Sequence, residues 1–303
     1  MNLDDIASGR GAPISLSVIG GDQFLATQVQ QQLTKAGLLE QPADGKFGPV
    51  SHWAIGEFLR KAGTSDKRQL DQEAARALLE ADVEAIYPLN FPDTLASRIS
   101  RAMLNKGWWI TRHPECINIV YVEGLNPDGT QNEDAPNIFN DLRLLLRINR
   151  SGNPEVVGCW EATSEPGTYY TKIKKEDPRG AARIAFGQYK SWSVGMHPRN
   201  KPQVAHEALV QVGDITVHRD LNEDFKREGD AAFTGLFGIN QHWGYDMPRN
   251  NIGNASAGCL VGRTKSGHRE FMALIQADPR YIANRGFRFM TAVMPASDLA
   301  PAT

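Results

Sequence analysis

The sequence predicts an α+β protein in which a small helical N-terminal part precedes a larger, mainly β C-terminal part. Apolar residues recur at helical spacing as far as about residue 83. Beyond Cys116 they fall into short runs separated by Gly, Pro and Asn, the pattern of strands. A length of 303 residues suits two domains better than one. With 41% hydrophobic and 22% charged residues, the chain has the composition of a globular protein, which excludes wholesale disorder. A formal charge of -2 supplies no broad positive field, so nucleic acid is not an expected partner. No apolar run approaches the roughly eighteen residues of a membrane span.

The elements follow in order. Residues 1–12 contain Ser8-Gly9-Arg10-Gly11 without apolar periodicity and predict a flexible tail. Phe24, Leu25, Val29 and Leu33, with Asp22 as N-cap and Gly37 as C-cap, predict a helix over 22–36. Trp53, Ala54, Ile55, Phe58 and Leu59 predict a second, ending near Gly63, and Leu70–Val83 a third. These three make a helical domain over 13–88, bounded by Pro88 and Pro92, with the C-terminal domain over 89–303. There, 93–106 and 268–277 read as helices. Ile117–Val122, Leu142–Ile148, Val156–Thr163, Ala208–Val212, Ile215–His218, Phe237–His242 and Phe287–Val293 read as strands. Neither an internal repeat nor a low-complexity tract is visible.

Within the helical part, Val29-Gln30, Leu33, Gly37-Leu38, Asp44-Gly45-Lys46-Phe47-Gly48-Pro49, Ala54-Ile55 and Phe58 stand in an order that resembles the peptidoglycan-binding type 1 domain. The turn residues all have structural reasons to be there. Gly45 and Gly48 allow backbone shapes that other residues resist, Phe47 plugs the core, and Pro49 opens a helix. The resemblance implies wall binding by Asp44, Gly45, Phe47, Gly48 and Trp53. For Trp53 the spacing to Phe58 favours the core over a stacking surface for saccharide.

The chemistry concentrates in Phe237-Gly238-Ile239-Asn240-Gln241-His242-Trp243-Gly244 and Asn254-Ala255-Ser256-Ala257-Gly258-Cys259-Leu260-Val261. A cysteine behind small residues, seventeen positions after a histidine, suits a nucleophile facing a base. Gly258 permits close substrate approach, and the N–H groups of Gly258 and Cys259 could make an oxyanion hole. This pair resembles the catalytic signature of the L,D-transpeptidases. Leu144–Ile148, Gly152, Val156–Thr163 and the turn Glu165-Pro166-Gly167-Thr168-Tyr169-Tyr170 are similar to that family's upstream hairpin and turn, so the likeness covers about 142–275. Two departures are plain: Ala257 replaces the family's loop histidine, and Val261 its Arg or Asn.

The resemblance implies an L,D-transpeptidase-like catalytic domain in which Cys259 attacks a tetrapeptide stem and expels its terminal D-alanine. His242 would act as base, Ser256 would orient His242, and Trp243, Gly244, Asn254 and Arg263 would contact substrate. The thioester then passes to an amine (crosslinking or D-amino-acid exchange) or to water (L,D-carboxypeptidase hydrolysis), with no metal or organic cofactor needed. A hydrolase delivered as a phage lysin or antibacterial effector, with an immunity or secretion partner, is a second reading. A wall-binding protein with a decayed active site is a third. The expected place of action is the periplasmic or extracellular wall. The N-terminus Met1-Asn2-Leu3-Asp4-Asp5, acidic where a signal peptide is basic, argues against ordinary Sec export.

Other polar groupings are expected to be structural. Three cysteines cannot all pair, and Cys116 and Cys159 read as buried thiols. His197, His206 and His218 match no compact zinc spacing. Asp220-Leu221-Asn222-Glu223-Asp224 opens like a calcium loop, but Phe225 and Ala231 stand where that loop needs Gly and Glu.

Overall fold

The computed structural model describes residues 2–64, 66–198 and 202–299, so residue 1 of the predicted tail and residues 300–303 of the predicted C-terminal domain lie outside them. It is a mixed α+β structure with a large β-sheet. No helix among the described residues is long and apolar enough to cross a membrane.

The first residues are folded, contrary to the expected tail. Asn2 caps helix α1 (Leu3–Ala7) by accepting the Asp4 N–H, and Leu3 and Ile6 are buried. A helix this short offers too few apolar positions to reveal a period. Helices α2 (Gln23–Lys35), α3 (Pro49–Ala62) and α4 (Gln72–Leu79) stand at the three expected places. Asp22 and Asp71 cap α2 and α4, and Gly63 ends α3 at φ 72°. Helix α4 stops earlier than expected because Asp82 caps a separate α5 (Val83–Ile86). Strands β1 (Ile14–Ser15) and β2 (Gln69–Leu70) pair antiparallel beside them. One core runs through this part, with Leu25, Val29, Leu33, Ile55, Phe58 and Leu78 buried in it.

After α6 (Leu95–Asn105), eleven strands follow among the described residues: β3 (Asn118–Glu123), β4 (Asp141–Ile148), β5 (Pro154–Thr163), β6 (Ala181–Ile184), β7 (Gly187–His197), β8 (His206–Gln211), β9 (Ile215–Asp220), β10 (Ala231–Gly235), β11 (Gln241–Trp243), β12 (Leu260–Gly262) and β13 (Phe289–Pro295). Eight close into a barrel in the order β11-β12-β5-β4-β3-β13-β7-β8, and β10-β9-β6 form a separate antiparallel sheet. Successive residues of β3 face opposite sides. Ile119 and Tyr121 enter the core with Trp192, Leu209 and Phe271, the last on α7 (Lys265–Gln276), while Val120 and Val122 meet Ile99 and Met103 of α6. The strand is therefore apolar throughout its middle.

Strands β6, β7, β10 and β12 escaped the sequence-based expectation, as did the two-residue strands β1 and β2. In β7 the run Gly187-Gln188-Tyr189-Lys190-Ser191 breaks the apolar alternation. The expected strand Phe237–His242 shrinks to β11, because Gly238 adopts φ 73° and the Phe237 and Ile239 N–H groups both donate to Gln211 Oε1. Among the contacts between the helical part and the barrel part is Arg280 on α8 (Pro279–Ala283). Its guanidinium reaches Glu40 Oε1 at 2.7 Å.

Candidate functional site

Strands β11 and β12 lie parallel, with His242 beside Val261, and Cys259 ends the loop that enters β12. That loop is shaped by two residues. Gly258 sits at φ 119°, and a Cβ there would lie 2.3 Å from the Ala182 carbonyl oxygen. Ser256 Oγ accepts the Gly258 N–H at 3.1 Å and donates to the Cys259 carbonyl at 3.0 Å. The partly exposed Cys259 thiol donates to the Gly238 carbonyl at 3.6 Å, and its sulfur receives the Asn240 N–H at 3.4 Å. Burial pushes the thiol up to about 11, against the pull of that N–H, so it rests protonated.

Cys259 and His242 line one cavity of about 750 Å³. Among the described residues no hydrogen bond joins them. His242 is buried, and its Nδ1 meets the Trp243 carbonyl at 2.7 Å. A carbonyl only accepts, so Nδ1 carries the hydrogen and Nε2 the lone pair. His197 stacks on the ring, with centroids 4.2 Å apart and planes 16° apart. Burial first and His197 second hold His242 well below the usual histidine range, so it is a neutral imidazole. Asn240 Nδ2 donates to His197 Nδ1 at 2.9 Å, which puts the His197 hydrogen on Nε2.

The structure places other expected site residues differently. Ser256 holds the loop and makes no bond to His242, whose Nδ1 is taken by Trp243. The Gly258 N–H is used by Ser256, so it is not a free oxyanion donor; the Cys259 N–H has no acceptor among the described residues. Trp243 faces away from the cavity and stacks on His206 at 3.7 Å. Gly244 donates its N–H to Gly262, and a Cβ there would lie 2.9 Å from the Arg263 carbonyl oxygen, a packing role. Arg263 is held by Glu161, Nε to Oε2 at 2.6 Å, and is not part of the cavity wall. Asn254 and Ala257 do line the cavity, whereas Val261 is buried in the core.

In the helical part, Gly45 takes φ 71° and donates its N–H to Gln30 Oε1 at 2.7 Å. Asp44 accepts from Gln30 Nε2 and the Lys46 N–H, Phe47 is buried, and Gly48 is the N-cap of α3. Trp53 is half-buried and packs edge-on against His113 at 5.2 Å. All five have structural partners here.

His197 and His206 do converge, at 5.9 Å, while His218 lies on the other sheet opposite Arg183 and Ala232. Asp220 uses its carboxylate on the Asp224 and Phe225 N–H groups, as a turn does. Cys116 is buried, but Cys159 is exposed on β5, because the run that looked apolar turns one face to solvent. Sequence reasoning missed Asn240 in a contributing role, His197 in the cavity, and Arg179 and Arg219 in its wall. Asn240 stood inside the chemically rich stretch; the others come from strands and turns distant in sequence. It also missed Glu123, Asp134 and Glu165, whose carboxylate oxygens lie within 4.8 Å of one another. Arg227 pairs with Glu123 at 2.6 Å, and Arg183 pairs with Glu165.

No family model matches the chain, and no curated protein matches it. A solved structure similar to it is a crystal structure of an L,D-transpeptidase from Xylanimonas cellulosilytica, at 15% identity and a TM-score of 0.21, covering 88% of this chain and 92% of that one.

Proposed function

We propose that the protein is a peptidoglycan-modifying cysteine acyltransferase acting on stem tetrapeptides. The observation that carries this reading is the convergence of Cys259 and a neutral, tautomer-fixed His242 on one cavity. The sequence resemblance around them supplies the substrate class.

In the forward step Cys259 Sγ attacks the carbonyl carbon and His242 Nε2 takes the thiol proton. The carbon–nitrogen bond breaks, the amine leaves with that proton, and a thioester remains. An incoming amine, or water in the carboxypeptidase alternative, then attacks the thioester, gives its proton to His242, and expels the thiolate, which is reprotonated. The Cys259 N–H is the donor available to the developing oxyanion. Because thiol and imidazole are both neutral at rest, proton transfer belongs to the substrate complex, where apo distances tighten.

One observation favours the non-catalytic reading: the thiol is pushed up to about 11 by burial, away from the activated range of nucleophilic cysteines. Tetrapeptide-rich muropeptides incubated with an added D-amino acid, followed by mass spectrometry, separate the two. Wild type should release or exchange terminal D-alanine while Cys259→Ala does not, and the product identifies the acceptor. Unchanged muropeptides with both proteins would leave only wall binding to be considered.

A further inference from the structure

The cavity that holds Cys259 has an arginine-bearing wall that the catalytic motif does not supply. The Asp177–Arg179 turn and the middle strand of the β10-β9-β6 sheet place Asp177, Arg179 and Arg219 along it. Arg219 is 9% exposed, yet its guanidinium is only partly used. Nη1 donates to the Gly180 carbonyl at 3.2 Å, Nη2 faces Asp177 Oδ2 at 3.3 Å, and Nε, out of solvent, has no acceptor. A buried guanidinium N–H without an acceptor is costly, and a carboxylate is the partner that the Nε–Nη2 edge fits.

Arg179 shares the same carboxylate, Nη2 to Asp177 Oδ2 at 2.7 Å. Two arginines stand against Asp177 and Glu176 on this wall, so its formal charges balance, and the buried Arg219 guanidinium rather than a net charge is what an anion would meet. Glu176 and Arg179 are both exposed, where solvent screens them, whereas Arg219 is not. The guanidinium of Arg219 lies 5.3 Å from the Phe237 ring centroid, and Phe237 leads into Gly238, whose carbonyl receives the Cys259 thiol. Elsewhere the cation expected to contact substrate, Arg263, is consumed by Glu161.

We propose that Arg219, supported by Arg179, forms a carboxylate-binding subsite beside Cys259, selecting substrates that carry a free carboxylate next to the carbonyl under attack. The substrate statement rests on Cys259 being the acyl-transfer nucleophile. The anion binding does not.

Alkylation separates these. Iodoacetate and iodoacetamide differ by one negative charge, and site-resolved mass spectrometry reads their rates at Cys259 and at exposed Cys159 of the same chain. At mildly alkaline pH and low salt, the iodoacetate-to-iodoacetamide rate ratio at Cys259 should exceed that at Cys159 by about tenfold. Arg219→Gln should bring it down to the Cys159 value, and Arg179→Gln should lower it partway. N-acetyl-D-alanine, but not its amide, should shield Cys259 of the wild type from iodoacetamide, a readout that survives if Arg219→Gln fails to fold. Equal ratios at the two cysteines, or equal shielding by acid and amide, overturn the subsite. A high, Arg219-dependent ratio without muropeptide conversion keeps the subsite and discards the acyl-transfer reading, and conversion with equal ratios does the reverse.

Discussion

Gly258 shows how one residue holds the loop before the thiol in place. Its φ of 119° is strained for any side chain, and the Ala182 carbonyl oxygen occupies the place of a Cβ at 2.3 Å. That carbonyl belongs to β6, so it cannot move without the sheet that carries Arg219. Gly258→Ala should therefore lower stability by about 3 kcal/mol or more, since backbone strain and a steric clash add. It should also change the alkylation rate of Cys259 in the fraction that remains folded. Urea unfolding that gives a loss below about 1 kcal/mol would show that the loop relaxes freely. Cys259, His242 and Gly258 were legible in the sequence as candidates through the seventeen-residue spacing and the small residues before the cysteine. Arg219 and His197 were not, because nothing local marks a strand arginine or histidine as facing a cavity until strand register is known.

Elements were legible where periodicity ran long enough. Helices α2 and α3 announce themselves through apolar spacing and caps, whereas α1 is too short and β7 too polar to do so. Short α8 carries a consequence out of proportion to its size. Its Arg280, only 4% exposed, meets Asp278 at 2.7 Å, Glu40 at 2.7 Å, Thr111 Oγ1 at 2.9 Å and the Ile117 carbonyl at 2.8 Å. Glu40 belongs to the helical part and the other partners to the barrel part, so this side chain joins the two, beside the Lys190–Glu40 and His113–Glu57 pairs. Arg280→Met keeps much of the volume but leaves Asp278 buried without its cation, while Glu40 keeps Lys190 at 3.0 Å. The expected loss is about 3–5 kcal/mol, the range for breaking a buried ion pair from one side. Chemical denaturation should show it, and a parallel rise in proteolysis near residues 40 and 113 would locate it at the junction. Unchanged stability would mean that the two parts dock without the arginine.

At the scale of the whole molecule, the sequence counts charges but not their burial, and burial makes the molecule sensitive to pH from both sides. Burial, then His206, holds His197 down to about 4; burial, then Arg143, holds His268 down to about 3; His242 is also depressed. The unfolded chain binds protons at these sites from about 6.5, so their contribution is present above that pH and is lost as pH falls through the folded values. The acids act oppositely. Burial, then the neighbouring Glu123, pushes Asp134 up to about 7 and Asp141 up to about 8. Burial also opposes ionisation of Glu123, but its hydrogen-bonded Arg227 prevails and keeps that carboxylate charged. The native state then holds protons on Asp134 and Asp141 that the unfolded chain releases near 3.8, so their contribution is present in acid and lost as pH rises through about 7 and 8. Between 3.8 and 6.5 the two groups pull against each other, and above 6.5 only the acids remain. The melting temperature should therefore decline from about pH 6.5 to pH 8.5. Asp141→Asn keeps the shape and removes one titration, so its curve should be flatter over that interval. A wild-type melting temperature that holds or rises across it would mean that Asp134 and Asp141 are ionised in the native state, with Arg183 and Arg227 sufficient to neutralise the whole cluster.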